Sequence, residues 1–347
     1  MTTEAGEGLT LFSGVNWLGD SIMTMPAIHE FKRRHPANTL TMLTKPSLTL
    51  LWRLNPDIDR VVELHPGPLG AARASIEIRK MRVARAFVLT QSFRSALVPF
   101  LARIPERTGM PGHFRDWMLT GIVKPDGKEA RKHQMFEYFD LLGLADSAKP
   151  SIPSIRIPDE LTESCKKRLF GSFPNGNVGS IAGMLPGAAH GPSKCWPAGN
   201  FREVARRLTD RPGCKVAVFG SQGESAACAA IAADMEGKVV DLSGKTSIPE
   251  LAAMLALCNV VLANDSGGMH LAAMVGTPVV AIFGLTDPSK TGPLGQQHRI
   301  LAADLAHRSR DVAPDCQAAT AALLSIRTET VFQAILDILG TTHLPRA

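Results

Sequence analysis

The chain has 347 residues, 45% of them apolar and 20% charged, which is typical of a globular protein with about two domains and excludes a disordered or fibrous protein. Its longest apolar stretch, 251–263, contains an asparagine and is shorter than the ~20 residues that a membrane-spanning helix needs. The first ten residues are acidic and lack the apolar core of a signal peptide, so a cytoplasmic location is expected.

The six cysteines are scattered without a CxxC pair or a histidine cluster, which predicts reduced thiols and no metal site. The net charge of +6 is uneven: residues 1–155 hold 20 Lys and Arg against 15 Asp and Glu, whereas residues 156–347 hold 18 against 17. This excess suits a phosphorylated glycolipid or a membrane surface, although a generally basic surface explains it equally well. With 5% aromatic residues and no helix-turn-helix or zinc pattern, no nucleic-acid partner is expected.

Short apolar runs alternate with amphipathic stretches, the pattern of βαβ units in a parallel sheet covered on both faces. In the first half, strands are predicted over 9–15, 39–45, 61–64 and 86–90, and helices over 20–34, 46–54, 69–83 and 93–102. The proline-rich passage 149–158 cannot lie inside regular elements, because proline lacks the backbone donor, and it predicts the boundary between domains 1–155 and 156–347.

The second half repeats the pattern. Strands are predicted over 177–183, 214–220, 239–244, 259–265 and 277–284, and helices over 197–209, 222–235, 248–257 and 266–275. The end of the chain, 317–340, is predicted to form closing helices, with the last one free to pack back on the N-terminal domain. The fold class is therefore α/β, with two Rossmann-like, doubly wound domains facing a cleft, in which a ligand would lie beyond the carboxyl ends of the strands.

The segment Gly14–Ile28 follows the first predicted strand and runs into its helix. It nearly matches the P-loop pattern GxxxxGK[ST], but Asp20 replaces the lysine, and a carboxylate there would repel a polyphosphate. An ATPase or kinase of that type is therefore disfavoured. Asp20 is either a reactive acid presented at a helix N-terminus or a plain N-cap, and the segment alone leaves both readings open.

Two further segments carry phosphate-binding chemistry. Met184–Phe201 is a glycine- and proline-rich loop with Lys194 just before a helix, and loops of this kind bring amides and an ammonium group to phosphate oxygens. Asn259–Gly276 contains a strand, the sequence Asn-Asp-Ser-Gly-Gly and a helix with His270 in its first turn. Small residues there let an anion approach the helix amides, although plain capping by an Asp or Ser competes as an explanation.

A DxD pattern at Asp57 and Asp59 follows Asn55-Pro56, which predicts a solvated turn rather than a divalent-ion site.

In this order and spacing, the segments resemble the ADP-heptose:lipopolysaccharide heptosyltransferases, glycosyltransferase family 9. The likeness spans nearly the whole chain and is carried by GDSIMTMPAI (19–28), LTQSFRSALVPFLARIPERTGM (89–110), PGAAHGPSKCWP (186–197), VFGSQGE (218–224), LSGKTSIPELAAMLA (242–256) and NDSGGMHLAAMVGTPVVAIFG (264–284). The stretch QSFRSALVPFLARIPERTG is most similar to the second heptosyltransferase of the inner core, which adds heptose to heptose.

The resemblance implies a GT-B fold, an acceptor-binding N-terminal domain, a donor-binding C-terminal domain, an inverting mechanism, and no metal or other cofactor. Asp20 matches the family's general base, and Lys194 matches the lysine that binds the donor phosphates. Gly19 and Arg94 fall on the acceptor side. The implied donor-binding residues are Gly187, Ala188, Glu224 (ribose), Thr246 (adenine), Asp265, Ser266, Gly267, Gly268 and His270.

The implied partners are ADP-heptose, the Kdo- and heptose-bearing lipid A acceptor, and the cytoplasmic face of the inner membrane, to which the enzyme would attach peripherally. One departure concerns the subtype, since the cysteine- and arginine-containing motif that the second heptosyltransferase usually carries before its last helix retains only Cys316 here. A different acceptor (a protein, or Kdo₂-lipid A without heptose), another nucleotide sugar, and a non-catalytic nucleotide-sugar binding protein remain alternatives. An NAD-dependent oxidoreductase fits poorly because GxGxxG is absent after the first predicted strand.

Overall fold

The computed structural model describes residues 8–124, 133–147, 151–174, 178–305, 308, 313 and 316–341. The chain forms two compact units, Met1–Arg156 and Ile157–Ala347, and each contains its own six-stranded parallel sheet. The predicted boundary lies one residue from this division. Residues 149 and 150 of the proline-rich passage and residue 177 of a predicted strand lie outside the described residues.

Unit 1 is built on a sheet with the strand order β3-β2-β1-β4-β5-β6. Its strands are β1 Leu9–Ser13, β2 Thr39–Thr44, β3 Arg60–Glu63, β4 Arg85–Val88, β5 Glu106–Gly109 and β6 Gly121–Ile122. Its helices are α1 Leu18–Arg34, α2 Thr49–Arg53, α3 Gly67–Lys80, α4 Phe93–Leu101 and α5 Met135–Leu141.

The position of β1 inside the sheet of unit 1 explains why the sequence of this strand is apolar. In β1, Leu11 pairs with Thr41 of β2 on one side and Ala86 of β4 on the other. Helices cover both faces of a parallel sheet, so a central strand is buried on both and reads as a continuous apolar run. Leu11 accordingly belongs to a fully buried cluster with Leu43 and Ile78.

Unit 2 has the strand order β12-β11-β10-β7-β8-β9. Its strands are β7 Ser180–Leu185, β8 Cys214–Val218, β9 Val239–Asp241, β10 Val260–Asn264, β11 Val279–Phe283 and β12 Arg299–Ala302. Its helices are α6 Asp159–Gly171, α7 Ala198–Thr209, α8 Ser225–Ala232, α9 Ile248–Ala256, α10 Gly267–Met274, α11 Pro288–Thr291, α12 Gln317–Leu324 and α13 Thr328–Thr341.

Helix α13 completes the core of unit 2, packing against α7, β10 and β11. Val331 and Ile335 on this helix are fully buried with Val204 of α7. The last helix therefore closes one face of its own unit's sheet.

The two sheets share one topology. Counted from the first strand of each unit, both have the Rossmann order 3-2-1-4-5-6, with the direction of winding reversing between the first and fourth strands. These are β1 and β4 in unit 1, and β7 and β10 in unit 2. Because ligands of such sheets bind beyond the carboxyl ends of the strands at this reversal, the loops after these four strands are where each unit presents its reactive groups.

Two further findings concern predictions from composition. All six cysteines are unpaired, as predicted, and burial raises the pKa of the Cys258 thiol to about 12 and that of Cys228 to about 11. Such thiols are poor nucleophiles near neutral pH. Within the part of the chain that the structure describes, no helix is both long and apolar enough to cross a membrane.

Candidate functional site

The loop after β7 places Lys194 beside Asp265. Lys194 ends a short 3₁₀ helix, Pro192–Lys194, and Asp265 directly follows β10. The Lys194 Nζ atom donates a 2.6 Å hydrogen bond to Asp265 Oδ2, and the two side chains are 19% and 6% exposed. Because little water competes for this charge-assisted bond, the ammonium group is held in a defined position at the carboxyl edge of the sheet.

Asn264 fixes both ends of the same loop. Its fully buried side chain donates through Nδ2 to the Pro186 carbonyl at 2.7 Å and accepts through Oδ1 from the Trp196 amide at 3.0 Å. An asparagine amide has one donor group and one acceptor group, and both are used here. Although Asn264 stands in a motif recognised in the sequence, this role was not predicted, because it depends on partners 78 and 68 residues away.

Ser266, the residue after Asp265, is the N-cap of α10. Ser266 has an extended backbone and makes no capping bond through its side chain. The amides of Gly267 and Gly268 belong to the first turn of the helix, which has no earlier helical carbonyls to bind. A Cβ atom at Gly268 would lie 2.9 Å from Leu185 Cδ1, so glycine lets the helix start lie close to the end of β7. Amides and helix dipole together favour an anion at this position.

His270 is buried in the first turn of α10, at the place that the sequence predicted.

Gly187 and Glu224 meet beside this loop. A Cβ atom on Gly187 would lie 1.7 Å from Glu224 Oε1, so a larger residue at this position would displace the Glu224 carboxylate. The other oxygen, Oε2, accepts from the Ser221 amide at 2.6 Å and from the Ser221 hydroxyl at 2.8 Å. Glu224 thus closes a capping box after β8 and keeps Oε1 next to the glycine turn. Ala188 continues that turn, and its carbonyl accepts from the Gly191 amide.

Thr246 is half-buried in the loop after β9. That loop is joined to the one after β8 by a 2.9 Å bond from the Gly244 amide to the Gly220 carbonyl. The structure therefore brings the predicted donor-side residues to the carboxyl edge of one sheet, in the loops after β7, β8, β9 and β10.

The predicted acceptor-side residues lie in unit 1. Trp17 is the N-cap residue of α1, so Gly19 and Asp20 are the second and third residues of the helix, and Asp20 is not its N-cap. Asp20 is half-exposed in the first turn, where the helix dipole favours a carboxylate. Gly14 allows the preceding turn, since its Cβ would lie 2.9 Å from the Leu43 carbonyl oxygen.

Arg94 begins the loop-to-helix transition after β4. It is exposed on the first turn of α4 and donates through Nη2 to the His65 carbonyl. That helix is capped by Ser92, whose side chain accepts from the Ser95 amide.

Arg115 is a residue of this region that sequence reasoning missed. Its side chain is fully buried and donates to the carbonyls of Thr90, Ser92 and Met110 and to the Ser95 hydroxyl; the Ser92 and Ser95 bonds are 3.2 Å long and the Met110 bond 2.5 Å. Burial lowers its pKa from the ordinary arginine value, while Asp116 raises it in part. Among the described residues, Nε has no hydrogen-bond partner. Arg115 thus ties the loop after β5 to the loop after β4.

The two carboxylates of the DxD pattern differ in exposure and both bind groups of the fold. Asp57 is buried and pairs with His29 Nδ1 at 2.9 Å, and Asp59 accepts from the Leu40 amide and from Lys32. The expectation of a solvated turn is therefore wrong for Asp57, which is buried, and right for Asp59, which is exposed. Within the described ranges, no group of three His, Cys, Asp or Glu residues is arranged to hold a metal ion.

Comparison with known proteins identifies the family to which this chain is similar. A model described as "Glycosyltransferase family 9 (heptosyltransferase)" matches residues 73–319. Lipopolysaccharide heptosyltransferase 2 of Escherichia coli K12 is 30% identical over 307 residues, 84% of this chain and 87% of that protein. The solved structure of E. coli ADP-heptose lps heptosyltransferase II matches with a TM-score of 0.84 and 25% identity, covering 97% of this chain and 99% of that one.

A second solved structure, E. coli heptosyltransferase WaaC with ADP, matches at a TM-score of 0.70 and 18% identity, covering 95% and 99% of the two chains, and shares the fold. These findings confirm the predicted GT-B class of two α/β units and the resemblance to the second heptosyltransferase. The predicted cleft between the units stays a prediction. The chain belongs to glycosyltransferase family 9, and it is a glycosyltransferase of the heptosyltransferase type.

Proposed function

We propose that this enzyme transfers heptose from ADP-heptose to the inner core of lipopolysaccharide, with heptosyl-Kdo₂-lipid A as the acceptor. The transfer inverts the anomeric configuration and needs no metal ion. The donor and acceptor classes are those in the names of the relatives, lipopolysaccharide heptosyltransferase 2 and ADP-heptose lps heptosyltransferase II.

The observation that carries the proposal is the position of Lys194 next to the start of α10. As the bond between the sugar and the diphosphate breaks, negative charge grows on the leaving ADP. The Lys194 ammonium group and the amides of Gly267 and Gly268 supply positive charge at that edge without a metal ion. Asp265 keeps the ammonium group in place, and Ser266 adds a hydroxyl donor.

The remaining donor residues would contact the nucleoside and the loop. Glu224 Oε1 beside Gly187 suits the ribose hydroxyls, and Thr246 in the adjoining loop suits the adenine. Ala188 continues the glycine turn, and His270 supports the helix start from within the unit.

Asp20 is the proposed general base. It would take the proton from the acceptor hydroxyl while that oxygen attacks the anomeric carbon from the face opposite to ADP, so the configuration inverts. The helix dipole in the first turn of α1 favours the carboxylate form, which is the form that can accept a proton. Proton transfer by a positioned group contributes about 10²–10⁴-fold to the rate.

The acceptor would meet unit 1. Arg94 and the excess of Lys and Arg over residues 1–155 suit the acidic Kdo and phosphate groups, and Gly19 leaves room for the sugar beside Asp20. Because lipid A is anchored in a bilayer, we also propose that the enzyme works at the cytoplasmic face of the inner membrane and attaches to it peripherally.

The test is ADP release by purified enzyme with ADP-heptose and heptosyl-Kdo₂-lipid A, in the presence of a metal chelator. We expect the wild type to release ADP, and the isosteric Asp20→Asn variant to lose about 10²–10⁴-fold in kcat while binding ADP normally. Competition by ADP, UDP and GDP would identify the base, and only ADP should compete strongly.

Three outcomes would contradict parts of the proposal. Full activity of Asp20→Asn would show that Asp20 is not the general base. Loss of activity in the presence of chelator would show that the transfer needs a metal ion. If the enzyme binds ADP-heptose but releases no ADP with any lipopolysaccharide acceptor, the donor-site assignment stands and the acceptor assignment is wrong.

A further inference from the structure

Unit 1 carries an exposed aromatic patch, which we define as Phe93, Phe100, Phe114 and Trp117. Phe114 is 85% exposed, Trp117 62% and Phe93 45%, whereas Phe100 is half-buried. The rings of Phe100 and Trp117 lie 5.0 Å apart, edge to face. Large aromatic side chains gathered at the surface cost free energy in water and mark interaction sites.

The patch is held rigidly from beneath. The fully buried Arg115 side chain links the segment 110–115 to Thr90 and Ser92, directly before Phe93. On the other side, Arg107 Nε donates to the Met118 carbonyl at 2.6 Å. Four buried or half-buried hydrogen bonds therefore fix the main chain on both sides of Phe114 and Trp117.

Phe114 has an unusual backbone conformation. Its φ is +52°, in the left-handed region that bulky residues seldom adopt. The Trp117 Nε1 group donates to the Phe114 carbonyl at 3.0 Å, which stabilises this turn and orients the indole. This conformation costs free energy and exposes the phenyl ring, and the hydrogen bonds of Arg115 and Arg107 maintain it. Backbone strain of this kind is typical of functional sites.

Cationic side chains border the patch. Arg94 follows Phe93, and Arg103 lies one turn beyond Phe100; both are exposed. The nearby carboxylates are already engaged, because Glu106 pairs with Arg85 at 2.6 Å and Asp116 accepts from the Gly112 amide at 3.0 Å. Exposed aromatic rings with neighbouring arginines favour the headgroup region of an anionic bilayer.

We propose that the aromatic patch of unit 1 docks on the surface of an anionic lipid bilayer, with Phe114 and Trp117 entering the headgroup region and Arg94 and Arg103 contacting lipid phosphates. The choice of a bilayer rather than a protein partner rests on the proposed function, since a lipid-anchored acceptor brings unit 1 to the membrane. The patch then delivers Asp20 to acceptors that lie in the bilayer plane.

The experiment measures sedimentation of full-length protein with phosphatidylcholine vesicles, with and without phosphatidylglycerol. We compare the wild type with a Phe114→Asn/Trp117→Gln double variant, in which Asn suits the left-handed backbone. We expect the wild type to bind the anionic vesicles preferentially and the double variant to bind about tenfold or more weakly, as expected when two buried aromatic contacts are lost.

The matched control makes the same kinds of substitution at exposed apolar residues of unit 2, Phe170→Asn/Leu324→Gln. This variant should bind the vesicles as the wild type does. In a Trp17→Phe background, Trp117 is the exposed indole, because Trp52 and Trp196 are buried, and its emission should shift to shorter wavelength when anionic vesicles are added.

Two results would overturn the proposal: absence of wild-type binding to anionic vesicles, or equal binding by the wild type and the double variant. If the double variant instead converts a dimer to a monomer in analytical ultracentrifugation without changing vesicle binding, the patch joins two copies of the chain.

A final comparison separates this inference from the proposed activity. On a deacylated, water-soluble acceptor, the double variant should match the wild type in kcat/KM, while on acceptor embedded in vesicles it should be slower. If neither protein releases ADP from any acceptor, the proposed function fails, and the vesicle result still decides whether the patch binds lipid.

Discussion

Asn264 shows how a single side chain can set the geometry of a binding loop. Its amide group holds both the Pro186 carbonyl and the Trp196 amide, and between these two residues the chain carries Gly187 and Lys194. The position of the Lys194 ammonium group thus depends on a residue that need not touch the donor.

Replacing Asn264 with Asp tests this positioning role. The variant has nearly the same shape but loses the donor to Pro186 and sets a carboxylate against a carbonyl, at a cost of about 1–3 kcal/mol. We expect ADP to bind about tenfold more weakly in calorimetric titration, with KM for the donor rising more than kcat falls.

The control is Asn259→Asp, at the start of the same strand. Asn259 uses Oδ1 to accept from the Ile181 amide at 2.8 Å, and an aspartate preserves that bond. Its ADP affinity should equal that of the wild type. Unchanged ADP affinity in Asn264→Asp, with the protein folded, would show that the loop keeps its shape without the clamp.

Individual site residues differ in how far the sequence predicts them. Asp20, Lys194 and Asp265 stand in local motifs, and glycine or helix-start signals mark them directly. The roles of Asn264 and Arg115 arise from contacts with residues far along the chain, 78 residues away for Pro186 and 25 for Thr90. A spacing pattern records neighbours in sequence, so it carries no signal for these contacts.

At the scale of elements, the buried strands were the predictable ones. The predicted 39–45, 214–220 and 277–284 contain β2, β8 and β11, because apolar runs persist where both faces of a sheet are covered. The sequence missed β5, β6 and β12. These strands lack the buried apolar run that predicts a strand, because β5 has the sequence Glu-Arg-Thr-Gly, β6 has two residues, and β12 is a half-exposed edge strand.

Helix α1 links its first turn, which holds Asp20, to a distant ion-pair cluster. At its C-terminal end, Glu30 accepts two 2.8 Å bonds from Arg33 and one from Arg34, and Arg34 also pairs with Asp146 beyond α5. Hydrogen bonds from Arg33 lower the pKa of Glu30 from 4.5 to about 2, with Arg34 contributing further. The cluster fastens the helix whose first turn holds Asp20.

A pH dependence follows from this shift. Because the folded pKa lies below the unfolded one, the ionised Glu30 stabilises the fold above pH 4.5, and this contribution is lost as the pH falls from about 4.5 to about 2. Glu30→Gln should therefore lower the midpoint of thermal unfolding at pH 7, and the difference from wild type should shrink over that range.

The comparison variant is Glu163→Gln, whose exposed carboxylate lies 3.9 Å from Lys166 on α6. Such surface pairs contribute little to stability, so its unfolding midpoint should follow the wild type at each pH. A difference between Glu30→Gln and wild type that stays constant from pH 7 to acid would refute the linkage.

On the scale of the whole molecule, the two units repeat one topology but present different functional groups. The loops at the reversal in unit 1 carry the Asp20 carboxylate and the exposed Arg94, and the loops at the reversal in unit 2 carry Lys194 and the N-terminus of α10. The shared strand order does not dictate this division; the residues in the loops do.

Hydrogen exchange would show which unit binds the nucleotide. Adding ADP should slow exchange at the amides of Gly267 and Gly268 and in the loop 186–194, because these groups would bind phosphate oxygens. In the Asn264→Asp variant, the same ADP concentration should give less protection. Protection at 14–20 without any change at the start of α10 would assign the nucleotide to unit 1 instead.

The common topology also leaves a second edge on each sheet, at the amino ends of the strands. In unit 1 this edge includes the turn at Arg82 before β4, and in unit 2 it includes Asp210 before β8; both residues are exposed. Fluorophores attached to cysteines introduced at these two positions would each report the position of one sheet. They would lie at the edge opposite the loops that carry the site residues. Energy transfer between the dyes would then report the distance between the two labelled edges during turnover, in an enzyme whose chemistry is left intact.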